Sequence, residues 1–160
     1  ESQMRINSIA LIHEKLYQSK NLSQISFDIY IKELTDIILK SISNQKNIEL
    51  LLDIVPIHLT VNQAIPCGLI LSELITNAFK HAFEGRDEGH IWIELIEEGD
   101  DLILSVKDDG VGLPEDLNLE QPDSLGLTLI TTLTSQLRGN CRFTNTGSGS
   151  LFELKFKTGR

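Results

Sequence analysis

The apolar residues of this chain keep a helical period up to Ile42, and from Asn47 onward they alternate between short strand-like runs and further helical stretches. A chain patterned in this way must lay helices against a sheet, because neither element can cover its own apolar face. Before the switch, Ile6, Ile9, Ala10, His13, Leu16 and Tyr17 recur at three- and four-residue spacing, forming one stripe of an amphipathic helix that ends near residues 19–21. Ser26 stands as the N-cap of a second helix carrying Phe27, Tyr30, Ile31, Leu34, Ile37, Ile38 and Ile42. After the switch, residues 48–54 read as a strand. Residues 61–83 form the longest helical stretch, with Leu71, Leu74, Ile75, Ala78 and Ala82 on its buried stripe. Residues 91–96 and 102–106 read as a hairpin turning at Gly99, Asp100 and Asp101, and 110–123 as a loop. Helical spacing returns in Leu125, Leu129, Ile130, Leu133 and Leu137, and residues 141–144 and 151–156 close the chain as a second hairpin around Gly147 and Gly149. The expected fold class is α+β: a two-layer sandwich with a mixed, mostly antiparallel sheet and helices on one face, preceded by two helices. The expected division is a helical region over 1–45 and the sandwich over 46–160.

With 160 residues, 41% of them hydrophobic, the chain has material for one good core. A formal charge of -9 repels nucleic acid and anionic membrane, so neither is an expected partner. No apolar run reaches the length of a bilayer span. Cys67 and Cys141 lie far apart without a C-x-x-C partner, which argues against a disulfide framework or a zinc site and for a reducing, cytoplasmic setting. Residues 1–17 are already in helical phase with neither a capping signal nor an initiator Met ahead of them, so the chain reads as a piece of a longer protein.

Three constellations carry chemistry. Glu73, Asn77, Lys80 and His81 follow at i, i+4, i+7 and i+8, which gathers them on the helix face opposite the buried stripe. There Asn77 offers a hard oxygen to Mg²⁺, Lys80 a point charge for phosphate, and Glu73 a base or metal-shell acceptor. Asp108-Asp109-Gly110-Val111-Gly112 sits where a strand ends. Its glycines allow tight backbone shapes and close ligand approach, and its carboxylate can accept from an exocyclic amine such as that of adenine. Ser124-Leu125-Gly126-Leu127-Thr128 opens a helix whose free amides favour phosphate. Singly these are a solvated polar face, an acid-capped turn and an ordinary helix start; together and in this order they point to a nucleotide.

The stretch E-L-I-T-N-A-F-K-H-A-F resembles the N box of the histidine-kinase and GHKL ATPase superfamily, D-D-G-V-G-L-P its first glycine box, and S-L-G-L-T-L-I its second, over residues 47–157. The resemblance implies a Bergerat-type sandwich that binds ATP with Mg²⁺. Asn77 would hold the metal, Glu73 would act as base or outer-shell ligand, and Lys80 would face phosphate or ribose with His81 near the nucleotide. Asp108 would read the adenine amine. Gly110, Gly112, Leu125, Gly126, Leu127 and Thr128 would shape the pocket, with 114–124 as its lid. R-I-N-S-I-A-L-I-H-E-K-L-Y-Q-S resembles the end of the dimerisation and phosphoacceptor region of the unconventional, HWE-related sensor kinases. In that group the accepting histidine belongs to an H-R-x-K-N-N-like motif, which this sequence lacks, so the acceptor is expected upstream. The resemblance further implies a homodimer through the N-terminal helices and a response-regulator receiver domain as partner. His13, on the apolar stripe, reads as packed; His58 and His90 read as structural or merely exposed, and Trp92 as a sheet residue. Ser72 stands where many relatives carry an Asn, and the short lid has no phenylalanine-containing F box. Two other classes stay open: a GHKL ATPase or switch of gyrase-, Hsp90- or MutL-like type that uses Glu73 to activate water, and a non-catalytic nucleotide-binding interaction module.

Overall fold

The structure, a computed structural model, describes residues 6, 10, 11, 14, 24–41, 46–113 and 125–159. In chain order its elements are β1 (Gln24–Ser26), α1 (Phe27–Ser41), β2 (Asn47–Ile54), β3 (His58–Thr60), α2 (Val61–Asn77), a π-helical turn at Ala78–Ala82, β4 (Glu88–Glu98), β5 (Asp101–Asp108), α3 (Leu125–Gln136), β6 (Asn140–Asn145) and β7 (Ser150–Lys157). Five strands form the main sheet in the order β2-β4-β5-β7-β6. Only β2 against β4 is parallel; the other three pairings are antiparallel.

Alternation within the strands explains the two layers, since successive side chains point to opposite faces. Ile91, Ile93 and Leu95 of β4 are in register with Asp108, Val106 and Leu104 of β5. Leu102, Leu104 and Val106 are in turn opposite Phe156, Leu154 and Phe152 of β7. Apart from Asp108, this set is the apolar floor of the core, and each such side chain contributes roughly 1.5–3 kcal/mol relative to exposure. The other face carries Leu51, Trp92 and Lys107, all exposed and in register with one another across β2, β4 and β5.

The helices cover the floor. Phe27, Tyr30, Ile31, Leu34 and Ile38 of α1 share one core with Ala64, Cys67, Ile70, Leu71 and Ile75 of α2. A Cβ built on Gly68 would lie 2.0 Å from the Tyr30 hydroxyl oxygen, so the two helices approach as closely as they do because position 68 has no side chain. That hydroxyl is buried without a hydrogen-bond partner among the described residues, and burial pushes both it and the Cys67 thiol well above their ordinary pKa, so both groups stay neutral. β1 pairs with β3, placing residues 24–41 in the packed body beside α2.

Several expectations need correction. The 61–83 helix is α-helical only to Asn77 and then widens into the π turn. Ser26 immediately precedes α1, at the expected N-cap position, but it also ends β1 and donates its hydroxyl to the Asp28 carboxylate at 3.1 Å. In the first helix Ile6 and Ala10 are exposed, while Leu11, off the expected stripe, is buried. Leu125 is also exposed, at 68%, and the buried side of α3 begins at Ile130. The short β1 and β3 were not expected, each being three residues long. Ile9, His13, Leu16, Tyr17, Ile42 and the 114–124 segment lie outside the described residues. Among the described residues, no helix is long and apolar enough to cross a membrane.

Candidate active site

At the end of β5 the chain turns sharply, and each residue of the turn has a defined hold. Asp108 is buried, with one carboxylate oxygen accepting from the Gly110 amide at 2.9 Å and the other from the Ser150 hydroxyl at 2.6 Å. Ser150 is its register partner at the start of β7. The next residue, Asp109, accepts the His90 amide at 2.7 Å and lies 2.9 Å from His90 Nδ1, while its backbone carbonyl accepts from the Arg86 guanidinium. Burial works to raise the Asp109 carboxyl, but the His90 amide and ring outweigh it and hold it below the usual range.

Gly110 was expected to allow close ligand approach. In the structure the nearest neighbour is the protein itself: an added Cβ would lie 2.2 Å from the Ala82 carbonyl oxygen, which also accepts the Val111 amide at 2.7 Å. Gly112 is glycine for a different reason, its φ of +88°. Leu113 closes the turn, its amide donating to Asn145 Oδ1 at 2.6 Å and its carbonyl accepting from Asn145 Nδ2 at 3.3 Å.

The helix constellation is rearranged relative to its α-helical spacing. Glu73, expected on the face opposite the buried stripe, is only 4% exposed, because α3 covers that side of α2. A Cβ on Gly126 would stand 3.2 Å from Glu73 Oε2 and 3.5 Å from Asn77 Nδ2, so the first turn of α3 rests on both side chains. The π turn then shifts Lys80 and His81 around the axis. Both are exposed, and His81 faces Glu84 at 3.9 Å and not the other three. Ser72 satisfies itself on the Gly68 carbonyl at 3.0 Å.

All three sequence constellations thus meet along the C-terminal half of α2 and the π turn that continues it: Gly126 at Glu73 and Asn77, and Gly110 with Val111 at Ala82. Glu73 and Asn77 suit Mg²⁺, which takes one or two protein oxygens when phosphates and water supply the remainder. Ser150, Asn145 and the His90–Asp109 pair were missed in the sequence. The signal for Ser150 and for the His90–Asp109 pair is the β5–β7 and β4–β5 register, which links residues up to 42 positions apart, whereas Asn145 reaches Leu113 from the end of β6. An open depression lined by Arg86, Asp87, Glu88, Gly89, His90 and Asp109 flanks the turn and includes none of the residues expected to touch nucleotide.

A one-faced, mostly antiparallel sandwich with these three segments converging on one helix end defines an ATPase-type nucleotide-binding domain. The chain belongs to the family described as Histidine kinase-, DNA gyrase B-, and HSP90-like ATPase, whose model matches residues 62–160, and a model described as Histidine kinase matches residues 1–42. It is 34% identical over 140 residues to the sensor histidine kinase PdtaS of Mycobacterium tuberculosis, covering 84% of this chain and 27% of that protein. It is 30% identical over 155 residues to PdtaS of Mycolicibacterium smegmatis, covering 93% and 30% respectively. The chain therefore spans less than a third of the length of these curated relatives. In fold it is similar to the histidine kinase domain of the Erythrobacter litoralis EL346 blue-light activated histidine kinase, with a TM-score of 0.88 at 22% identity over 98% of this chain and 74% of that one.

Proposed function

We propose that this chain is the ATP-binding catalytic part of a sensor histidine kinase, and that it delivers the γ-phosphoryl group to a histidine upstream of these residues. The observation that carries the reading is the seating of Gly126 against Glu73 and Asn77, which joins a helix N-terminus to two hard-oxygen side chains. The adenine amine donates to Asp108, whose carboxylate Ser150 and the Gly110 amide hold in orientation. The triphosphate lies toward the first turn of α3, where the amides of Leu125, Gly126, Leu127 and Thr128 meet negative charge, with Lys80 as a further cation. Asn77 and Glu73 would hold Mg²⁺, which would neutralise part of the phosphate charge. During transfer the bond from the γ-phosphorus to the bridging oxygen breaks, ADP keeps the electron pair, and a nitrogen–phosphorus bond forms on the acceptor imidazole. Positioning and charge neutralisation supply most of the catalysis in such a step. Glu73 is placed to take the proton that the imidazole loses, unless it serves only as an outer-shell ligand.

The parent protein is read as a cytoplasmic-side homodimer joined through its N-terminal helices, in support of which Ile6 and Ala10 present an exposed stripe one helical turn apart. A response-regulator receiver aspartate is the next acceptor. The test is incubation of the full-length protein with γ-labelled ATP and Mg²⁺. Acid-labile label on the protein is expected; free phosphate alone favours a water-activating ATPase, and neither product favours a binding module. Asn77→Asp is expected to abolish Mg-ATP binding and turnover, and an unchanged affinity and rate would refute the site.

A further inference from the structure

The His90–Asp109 pair is not among the residues read as contacting nucleotide, yet it stands where the turn that carries Asp108 leaves the sheet. Up to Ile91 and Asp108 the β4–β5 ladder is regular. At the next pair, His90 opposite Asp109, an antiparallel ladder would exchange two backbone hydrogen bonds. Only one is kept, from the Asp109 amide to the His90 carbonyl at 3.3 Å. The second is replaced: the His90 amide donates to the Asp109 side chain at 2.7 Å, and the Asp109 carbonyl is released to the Arg86 guanidinium. This exchange lets the chain peel away from β4 without leaving a backbone group unpaired. The second Asp109 oxygen is taken by His90 Nδ1 at 2.9 Å. The ring itself is oriented by Trp92, stacked on it with centroids 5.4 Å apart, and by Glu49 of β2, 3.6 Å from Nε2.

We propose that His90 and Asp109 are a positioning pair which fixes the departure of the Asp108–Gly112 turn from the sheet and thereby sets nucleotide affinity. The inference rests on the reading of Asp108 as the base-contacting carboxylate. Without the imidazole, Asp109 loses one of its two side-chain holds, and the turn that carries Asp108 and Gly110 gains freedom that nucleotide binding must remove.

The experiment is titration of the full chain with a fluorescent trinitrophenyl-ATP probe and Mg²⁺, with melting temperature measured in parallel. His90→Phe keeps an aromatic ring over Trp92 and removes the hydrogen bond; affinity is expected to fall about tenfold while the melting temperature stays close to that of the wild type. His90→Asn places an amide nitrogen where Nδ1 stood and is expected to recover most of the loss. Asp109→Leu is expected to weaken binding at least as much, and the double variant with His90→Phe to add little further, because both remove one interaction. Wild-type affinity in His90→Phe, failure of His90→Asn to rescue, or fully additive losses would each overturn the pairing while leaving the nucleotide site standing. A wild-type chain that binds no probe would overturn both.

Discussion

Replacing Gly110 with Ala tests whether the nucleotide turn is held by packing against α2. Gly110 does not have a positive φ, so the penalty is one of contact and not of backbone conformation. The new Cβ would lie 2.2 Å from the Ala82 carbonyl oxygen and 2.7 Å from Ala82 Cβ, about 0.8 Å inside the 3.0 Å approach that Cβ atoms tolerate. Moving the turn outward by that amount stretches the 2.7 Å Val111–Ala82 hydrogen bond beyond the usual range for an amide donor. A lost hydrogen bond of about 1 kcal/mol and an overpacking cost of about 1–3 kcal/mol together give a destabilisation of about 2–4 kcal/mol. For a chain of this length that lowers Tm by roughly 4–16 °C. Nucleotide affinity falls as well, since Asp108 hydrogen-bonds to the Gly110 amide and moves with it. The matched control is Gly99→Ala in the β4–β5 turn, where φ is +64° and nothing lies within 4 Å, so only conformational strain on the order of 1–2 kcal/mol is expected, with affinity unchanged. Thermal melts and probe titration of both variants decide the matter. A Gly110→Ala chain with wild-type Tm and wild-type affinity would refute the reasoning.

At the α1–α2 contact, Tyr30→Phe removes a buried hydroxyl that has no partner among the described residues and is expected to raise Tm by about 2–4 °C, corresponding to about 1 kcal/mol. Gly68→Ala is expected to destabilise the wild type, and to do so less in the Tyr30→Phe background, because the atom it strikes first is the Tyr30 hydroxyl oxygen; additive effects in a double-mutant cycle would disprove that contact. The Asp109 carboxyl, held below its ordinary value in the folded chain, contributes stability that is fully present above about pH 4 and is lost as pH falls through its folded value. Acid melting of Asp109→Asn should therefore converge on the wild type as pH is lowered, and a gap that stays constant with pH would contradict the assignment.

Much of this arrangement is legible in the sequence where a local period reports burial. The apolar alternation of β4, β5 and β7 and the helical spacing of α1 and α2 each follow from which side of one element faces the core. Legibility ends where the deciding partner is remote. Glu73 has the spacing of a solvated residue, and only the placement of α3 over α2 makes it buried. Leu125 has the spacing of a core residue but lies at the open end of α3. The β1 and β3 strands are too short to show alternation, and the π turn after Asn77 leaves no mark that distinguishes 78–82 from continuing α-helix.

The glycines show what this means for the site. Gly110 was read from the sequence as allowing close ligand approach and Gly126 as part of a phosphate-favouring helix start, yet the space beside each is filled from within, by the Ala82 carbonyl in one case and by Glu73 and Asn77 in the other. These residues of the motifs are therefore requirements of the protein's own packing as well as of nucleotide shape. The proposed base end of the site, at Asp108, and its proposed phosphate end, at the start of α3, are both seated on one helix end, on either side of the point where its α-helical ladder becomes a π turn. A displacement of that helix end is then transmitted to both, because neither the Asp108–Gly112 turn nor the first turn of α3 can follow its own ligand contact without disturbing its contact with α2. Substitutions that enlarge either glycine should for this reason weaken recognition of base and phosphates together, whereas changes at Lys80, exposed at the rim, should act on the phosphate end alone.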